Sequence, residues 1–277
     1  LPPGDIRNCL AALSTEEPLL TRLFQYRFAA GSGLEGHSFG NLFLSALSAI
    51  TGNLETAITA SSRVLAVQGQ VVPATNVDVQ LWAELENGQR IEGESNIGHA
   101  PSPIVRLGCL PERPPALPRA LEAIANADLI VLGPGSLYTS LLPNLLVPEL
   151  VSAIKSSKAP RLYICNLMTQ PGETDGLDVR GHIRAIEAQL ASLGVEPRLF
   201  NAVLAQDDLP DSDLVRYYQS RGAEPVYCDA DGLRSDGYVV TQAPLQGIRP
   251  TATLRHDSRS LALAVMRFYR THRRERA

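Results

Sequence analysis

Between Leu117 and Leu204 the chain runs three times through one pattern: an apolar stripe at helical spacing, a short continuous apolar run, then a bend or an amide residue. Leu117, Leu121 and Ile124 open the first cycle, Leu129 to Leu132 form its apolar run, and Gly133-Pro134-Gly135 stops it. After Pro148, the residues Leu150, Val151 and Ile154 give the second stripe; Pro160 breaks it, and Leu162 to Cys165 run up to Asn166. Ile183, Ile186 and Leu190 mark the third, ended by Gly194 ahead of Leu199 to Leu204. Strands that read as unbroken apolar runs are covered on both faces. The alternation therefore predicts an α/β fold with a mostly parallel sheet and right-handed crossovers.

One stretch departs from this rhythm. Between Val64 and Glu94, Val77, Val79, Leu81, Ala83 and Leu85 alternate with mostly polar neighbours, and Glu86-Asn87-Gly88 supplies a tight turn, so 64–94 reads as a small antiparallel hairpin excursion. Pro101, Pro103, Pro111, Pro114, Pro115 and Pro118 then read as a stiff extended connector. Ser258, Leu261, Leu263, Ala264, Val265 and Phe268 predict a final helix. The late Arg267, Arg270, Arg273, Arg274 and Arg276 fit a solvated tail that compensates the helix dipole better than an anion site.

With 277 residues, 44% hydrophobic and 19% charged, the chain has enough apolar material for a substantial core, which excludes global disorder. A formal charge of -4 provides no whole-chain positive field for a polyanion, so nucleic acid is not an expected partner. Cys9, Cys109, Cys165 and Cys228 lie too far apart for a zinc motif and are too few for a disulfide framework; reduced cytoplasmic thiols are the simplest reading. No apolar run approaches the roughly 20 residues of a membrane span, so no membrane insertion is expected. The opening LPPGDIRNCL has neither an initiator Met nor a signal-like start, and reads as the interior of a longer protein.

Four segments carry groups suited to chemistry. Gly133-Pro134-Gly135-Ser136-Leu137-Tyr138-Thr139-Ser140 follows a predicted strand, where backbone N–H groups and hydroxyls can cradle phosphate, although such a bend also serves as a plain connection. Gly36-His37-Ser38-Phe39-Gly40-Asn41 precedes an apolar helical stripe; Ser38 or Asn41 fits a cap and His37 an oxyanion donor, the alternative being a capping turn with a packed histidine. Asn166, Thr169, Gln170, Glu173 and Asp175 gather amide, hydroxyl and carboxylate groups at another strand end, suited to reading a sugar or nucleoside, while Asp175 or Asp178 fits equally a helix cap. Asp5 reads as a cap and Arg7 as a phosphate partner, or the two as a loop salt bridge. No spacing stands out for a metal, and no nucleophile motif for hydrolysis is present.

The strings LPPGDIRNCL, GHSFGNLFLSALSAITG, DLIVLGPGSLYTSLLPNLLVPEL and CNLMTQPGETDG closely resemble the YvcK-type gluconeogenesis factors, within the wider family of 2-phospho-L-lactate transferase (CofD)-like proteins. The likeness covers essentially all 277 residues as a single domain. It implies a Rossmann-like three-layer α/β/α fold, a cytoplasmic protein, a role in cell shape and cell-wall precursor supply, and a UDP-sugar ligand such as UDP-N-acetylglucosamine. Residue by residue, it points to Gly36, His37, Ser38 and Asn41 in the GHSFGN string, Gly133, Gly135 and Ser136 in GPGS, and Asn166 in CNLMTQ as ligand contacts. Arg255 matches a late Arg-His-Asp string and suits a nucleotide phosphate, with Tyr217 or Tyr227 stacking on the base.

Family members carry a GGGTG loop and an Asp-Asp-Gly-Gly segment ahead of PPGDIRN. Their absence here implies that the first βα unit is missing and predicts nucleotide binding that is weak or absent, and a tendency to aggregate. The leading expectation is a regulator that binds a UDP-sugar without turning it over; the alternative is a Mg-dependent phosphotransferase. No other cofactor is expected. The sequence leaves room for a homo-oligomer and for a regulatory protein partner that it does not identify. The central expectation is that the histidine turn, the Gly-Pro-Gly bend and the amide-rich bend line one crevice.

Overall fold

The computed structural model describes residues 4–14, 18–248 and 254–274; Pro2, Pro3 and Arg276 lie outside them, as do the side chains of Arg273 and Arg274. The chain divides into two compact units, residues 1–79 with 114–122 and residues 80–113 with 123–277.

The first unit is helical. Its helices α1 (Gly4–Leu13), α2 (Pro18–Gln25), α3 (Phe39–Thr51) and α4 (Leu54–Val64) close around Leu10, Phe24, Leu44, Ile58 and Leu65. Asn53 caps α4 by accepting from the Thr56 N–H at 2.8 Å. Gly52 ends α3 in the left-handed region at φ 83°, where a side chain would be strained.

The second unit holds the sheets. Strands β1 (Gln80–Leu85), β2 (Arg90–Glu92) and β3 (Ile104–Leu110) form an antiparallel sheet in the order β2-β1-β3, with the short helix α5 (Glu94–Ile97) between β2 and β3. The turn at Glu86-Asn87-Gly88 is where expected, but the excursion starts at Gln80 rather than Val64, because Val64 ends α4. A larger correction concerns the proline-rich connector: β3 lies inside it. Pro103 and Pro111 flank this strand without entering it, so its seven residues keep their backbone N–H groups, and all but Val105, where the register shifts, pair with β1.

The three predicted cycles are all present. Helix α6 (Pro118–Ala125) leads to β4 (Ile130–Leu132); a π-helical turn at Leu137–Leu141, then α7 (Leu142–Leu145) and α8 (Pro148–Ser156), lead to β5 (Arg161–Ile164); α9 (Val179–Ser192) leads to β6 (Ala202–Gln206). The chain continues through α10 (Ser212–Gln219) and α11 (Ala230–Ser235) to β7 (Val239–Ala243). These strands form a parallel sheet in the order β4-β5-β6-β7. Strands β8 (Gln246–Ile248) and β9 (Leu254–His256) make an antiparallel pair before the final helix α12 (Ser258–Arg274). Leu162, Ile164, Ala202 and Leu204 pack with Ala264 and Phe268 of α12, so that helix covers one sheet face, as the alternation of strand side chains requires. The fold is mixed α/β, as the alternation predicts. Among the described residues no single helix is long and apolar enough to cross a membrane.

Candidate functional site

Parallel strands deliver their following loops to one edge of the sheet, where ligands of such folds gather. At the end of β4 the chain turns through Gly133, at φ 87°, and a cis Gly133–Pro134 peptide. A Cβ on Gly133 would lie 2.7 Å from the Ile164 carbonyl oxygen, so only glycine lets the bend pass this close to β5. At the end of β5, Asn166 meets that bend. Its amide donates to the Gly135 carbonyl at 3.0 Å, and its Oδ1 accepts from the Gly135 N–H at 3.3 Å.

Two further side chains fasten the same pair of loops. Gln170 Nε2 donates to Ser136 Oγ at 2.8 Å, leaving the Ser136 hydroxyl proton directed elsewhere. Glu173, 8% exposed, accepts from the Tyr138 N–H at 3.1 Å through Oε2 and from Thr139 Oγ1 at 3.1 Å through Oε1. Burial pushes the Glu173 carboxyl above its ordinary range, with the bonds from Tyr138 and Thr139 opposing the shift. Thr169 holds the next segment, its Oγ1 accepting from the Glu224 N–H at 2.8 Å. Of the two alternatives for a helix cap, Asp178 takes the role at α9, accepting from the Gly181 N–H at 2.6 Å, while Asp175 accepts from the Gly172 N–H at 2.7 Å within the loop.

Farther along the second unit, Asp207, Asp208, Tyr227 and Cys228 line a cleft of about 200 Å³ beyond β6. Tyr227 is 64% exposed there; Tyr217 lies on α10 with the Arg221 guanidinium 3.8 Å from its ring centroid. Arg255 is exposed on β9. Its neighbour His256 turns inward and bonds through Nε2 to the Cys165 carbonyl at 3.2 Å, which ties β9 to the end of β5. Burial lowers the His256 pKa, so the neutral ring donates from Nε2. Burial likewise pushes the Cys165 thiol up to about 12, which makes it inert rather than nucleophilic.

The histidine turn belongs to the first unit. Ser38 stands at the N-cap of α3 but makes no side-chain cap bond; its Oγ instead accepts from Arg7 at 2.6 Å. Arg7 and Asp5 lie on α1, not in a loop. Gly36 takes φ 81° and its carbonyl accepts from Arg27, which also lowers the Arg7 pKa, after burial, by like charge. His37 is exposed, and Asn41 Oδ1 is a buried atom without a hydrogen-bond partner among the described residues.

The structure thus bonds Gly135 to Asn166 and Ser136 to Gln170 in one cluster with Glu173, sets Gly133 in the same bend by its close approach to β5, and places Tyr217, Tyr227 and Arg255 elsewhere in the second unit. Asp207, Asp208 and His256 were not singled out from the sequence. The two aspartates follow directly on an apolar strand, and the histidine stands beside Arg255; those positions were the available signals.

The family model described as 2-phospho-L-lactate transferase CofD matches residues 1–246. A protein of Nostoc sp. is 55% identical over 97% of this chain, which spans 58% of that relative's length. The gluconeogenesis factor of Bacillus subtilis is 43% identical over 94% of this chain and 80% of its own. That of Halalkalibacterium halodurans is 45% identical over 96% and 80%. A crystal structure of protein BH3568 from Bacillus halodurans superposes with a TM-score of 0.89 at 43% identity, covering 96% of this chain and 83% of that one. With the family match and relatives of this closeness, the chain belongs to the 2-phospho-L-lactate transferase CofD family, alongside the gluconeogenesis factors.

Proposed function

We infer that the protein is a regulator that binds a nucleotide sugar such as UDP-N-acetylglucosamine at the strand ends of its second unit and does not turn it over. The observation that supports this reading is the stitching of the GPGS bend to the amide-rich loop through Asn166–Gly135 and Gln170–Ser136. Those bonds hold polar groups in fixed directions at the edge where ligands of α/β sheets bind. Cys165, the thiol nearest this cluster in sequence, is buried and protonated, and the Thr139 hydroxyl that meets the Glu173 carboxylate serves to fasten one loop to the other. Arg255 supplies a guanidinium for phosphate, and Tyr227, exposed beside Asp207 and Asp208, a ring for the base. In the first unit, Gly36, His37, Ser38 and Asn41 are the proposed contacts. The biological role that fits such a ligand is control of cell-wall precursor supply and cell shape during growth on gluconeogenic carbon, in the cytoplasm.

The family match itself favours a second reading, phosphotransfer with Mg²⁺. Among the described residues no three His, Cys, Asp or Glu side chains come together as a metal-holding group.

Two measurements separate the readings. Calorimetry with UDP-N-acetylglucosamine is expected to show saturable binding weaker than nanomolar. Mass spectrometry after incubation with that sugar, or with a nucleotide-phospholactate donor and Mg²⁺, is expected to show no new product. Product formation establishes the transferase, and absence of saturable binding removes the sugar ligand.

A further inference from the structure

Resting on the reading that the GPGS bend contacts the ligand, we propose that Glu173 is its positioning residue, and that only the ionised carboxylate holds the bend in its binding form. The π-helical turn at Leu137–Leu141 begins immediately after Ser136. First-turn N–H groups have no partner within their own helix and must find one elsewhere. Glu173 supplies it, accepting from the N–H groups of Tyr138 and Thr139 and from the Thr139 hydroxyl. Three donors converge on a carboxylate that is 8% exposed. A carboxylate accepts at both oxygens, whereas a carboxylic acid turns one into a donor, which the Thr139 hydroxyl can accept but the Tyr138 and Thr139 N–H groups cannot. Protonation therefore replaces charge-assisted bonds to those N–H groups by weaker ones or none, and loosens the turn that fixes Ser136.

The groups facing this carboxylate are few. Tyr138 and Thr139 come from the π-helical turn; burial, and then the charge of Glu173, pushes the Tyr138 phenol up to about 12, so it stays protonated. That phenol donates to the Ile104 carbonyl at 3.1 Å. From the segment after α5, Gly98 packs beside Oε1, where an added Cβ would lie 3.6 Å away. The neighbouring His99 opposes the burial effect by its charge. Asp175 lies in the same loop, bonded to the Gly172 N–H. Burial raises the Glu173 carboxyl, so its proton returns above the usual carboxylate range.

A merely structural carboxylate gives the opposite sign. Because the folded pKa is raised, the folded state binds the proton more readily than the unfolded one, and this group's contribution to stability improves as pH falls. A positioning role predicts that ligand affinity worsens over the same interval.

The test measures UDP-N-acetylglucosamine affinity and hydrogen exchange of the 136–141 amides against pH, after correction for intrinsic exchange, in the wild type, Glu173→Gln and Thr139→Val. The wild type is expected to lose affinity and amide protection together on acidification. Glu173→Gln should bind roughly tenfold or more weakly, having lost an acceptor for a charge-assisted bond, with a flat pH profile. Thr139→Val, which keeps the backbone N–H, should show a smaller loss and retain the profile, and it carries the test if the glutamine variant does not fold. Should the wild type bind no sugar while amide protection still follows Glu173, the ligand reading fails and the positioning role stands. Wild-type affinity and protection that do not change with pH, or a folded Glu173→Gln that matches the wild type in both, overturn the proposal.

Discussion

Asn166 shows how much one side chain at a strand end can settle. Its amide both donates to and accepts from Gly135, so it replaces a backbone partner at a bend that the parallel sheet cannot pair. Asn166→Asp keeps the shape but sets a carboxylate oxygen against the Gly135 carbonyl. The expected cost is about 1–3 kcal/mol in chemical unfolding, with weaker sugar binding as the bend loosens. Gly108 makes a steric counterpart. Trp82 lies flat over it, with the Arg90 guanidinium 4.1 Å and the Arg106 guanidinium 5.0 Å from the ring centroid, and a Cβ on Gly108 would fall 2.1 Å from Trp82 Cζ2. Gly108→Ala is predicted to destabilise by about 1–3 kcal/mol through overpacking. Trp82 is the chain's one tryptophan, so its emission reports the displacement directly. The polar character of Asn166, Gln170 and Glu173 was readable before the structure; their direction was not. A hydrogen-bonding carboxylate at a strand end has the same sequence whether it faces a ligand or, as Glu173 does, the neighbouring loop.

At the scale of elements, periodicity sorted the helices and strands wherever each stood alone between clear breaks, as in α8, β5 and α9. It failed at β3, whose flanking prolines are the usual mark of an extended connector. Pairing with β1 is a long-range gain that no local window contains. The edge of β3 away from β1 explains a buried glutamine on α9. Gln189, 2% exposed, accepts from the Leu107 N–H at 2.8 Å and donates to the Leu107 carbonyl at 2.9 Å, as a neighbouring strand would. It thus docks the antiparallel sheet on α9 and blunts the edge. Gln189→Leu keeps the bulk and strands both Leu107 groups. We expect a loss of about 1–3 kcal/mol per unsatisfied group, and faster exchange of the Leu107 amide than of amides bonded between β1 and β3.

For the whole molecule, buried titrating groups set how stability responds to acid. His182 is fully buried on α9, with Nδ1 bonded to the Asp178 carbonyl at 2.8 Å and Nε2 without a partner among the described residues. Burial holds its pKa below the ordinary imidazole value, and burial does the same to His256. Both rings are therefore neutral in the folded state over an interval in which the unfolded chain already binds protons. Their stabilisation is present above the unfolded value and is lost as pH falls through that interval towards the folded pKa. Glu173 works in the reverse sense, favouring the folded state as its proton returns, so it partly offsets the histidines where the intervals overlap. The carboxylates of the half-buried Glu84 and the exposed Glu196, each lowered by a cationic partner, act only at lower pH and are screened by solvent. The unfolding midpoint is accordingly expected to fall between about pH 7 and about pH 5, the range in which a histidine titrates. His182→Leu removes one of the two groups and should flatten that slope, while Glu173→Gln should steepen it. An unfolding midpoint that stays level across the range in the wild type would show that the two rings are not held neutral by burial.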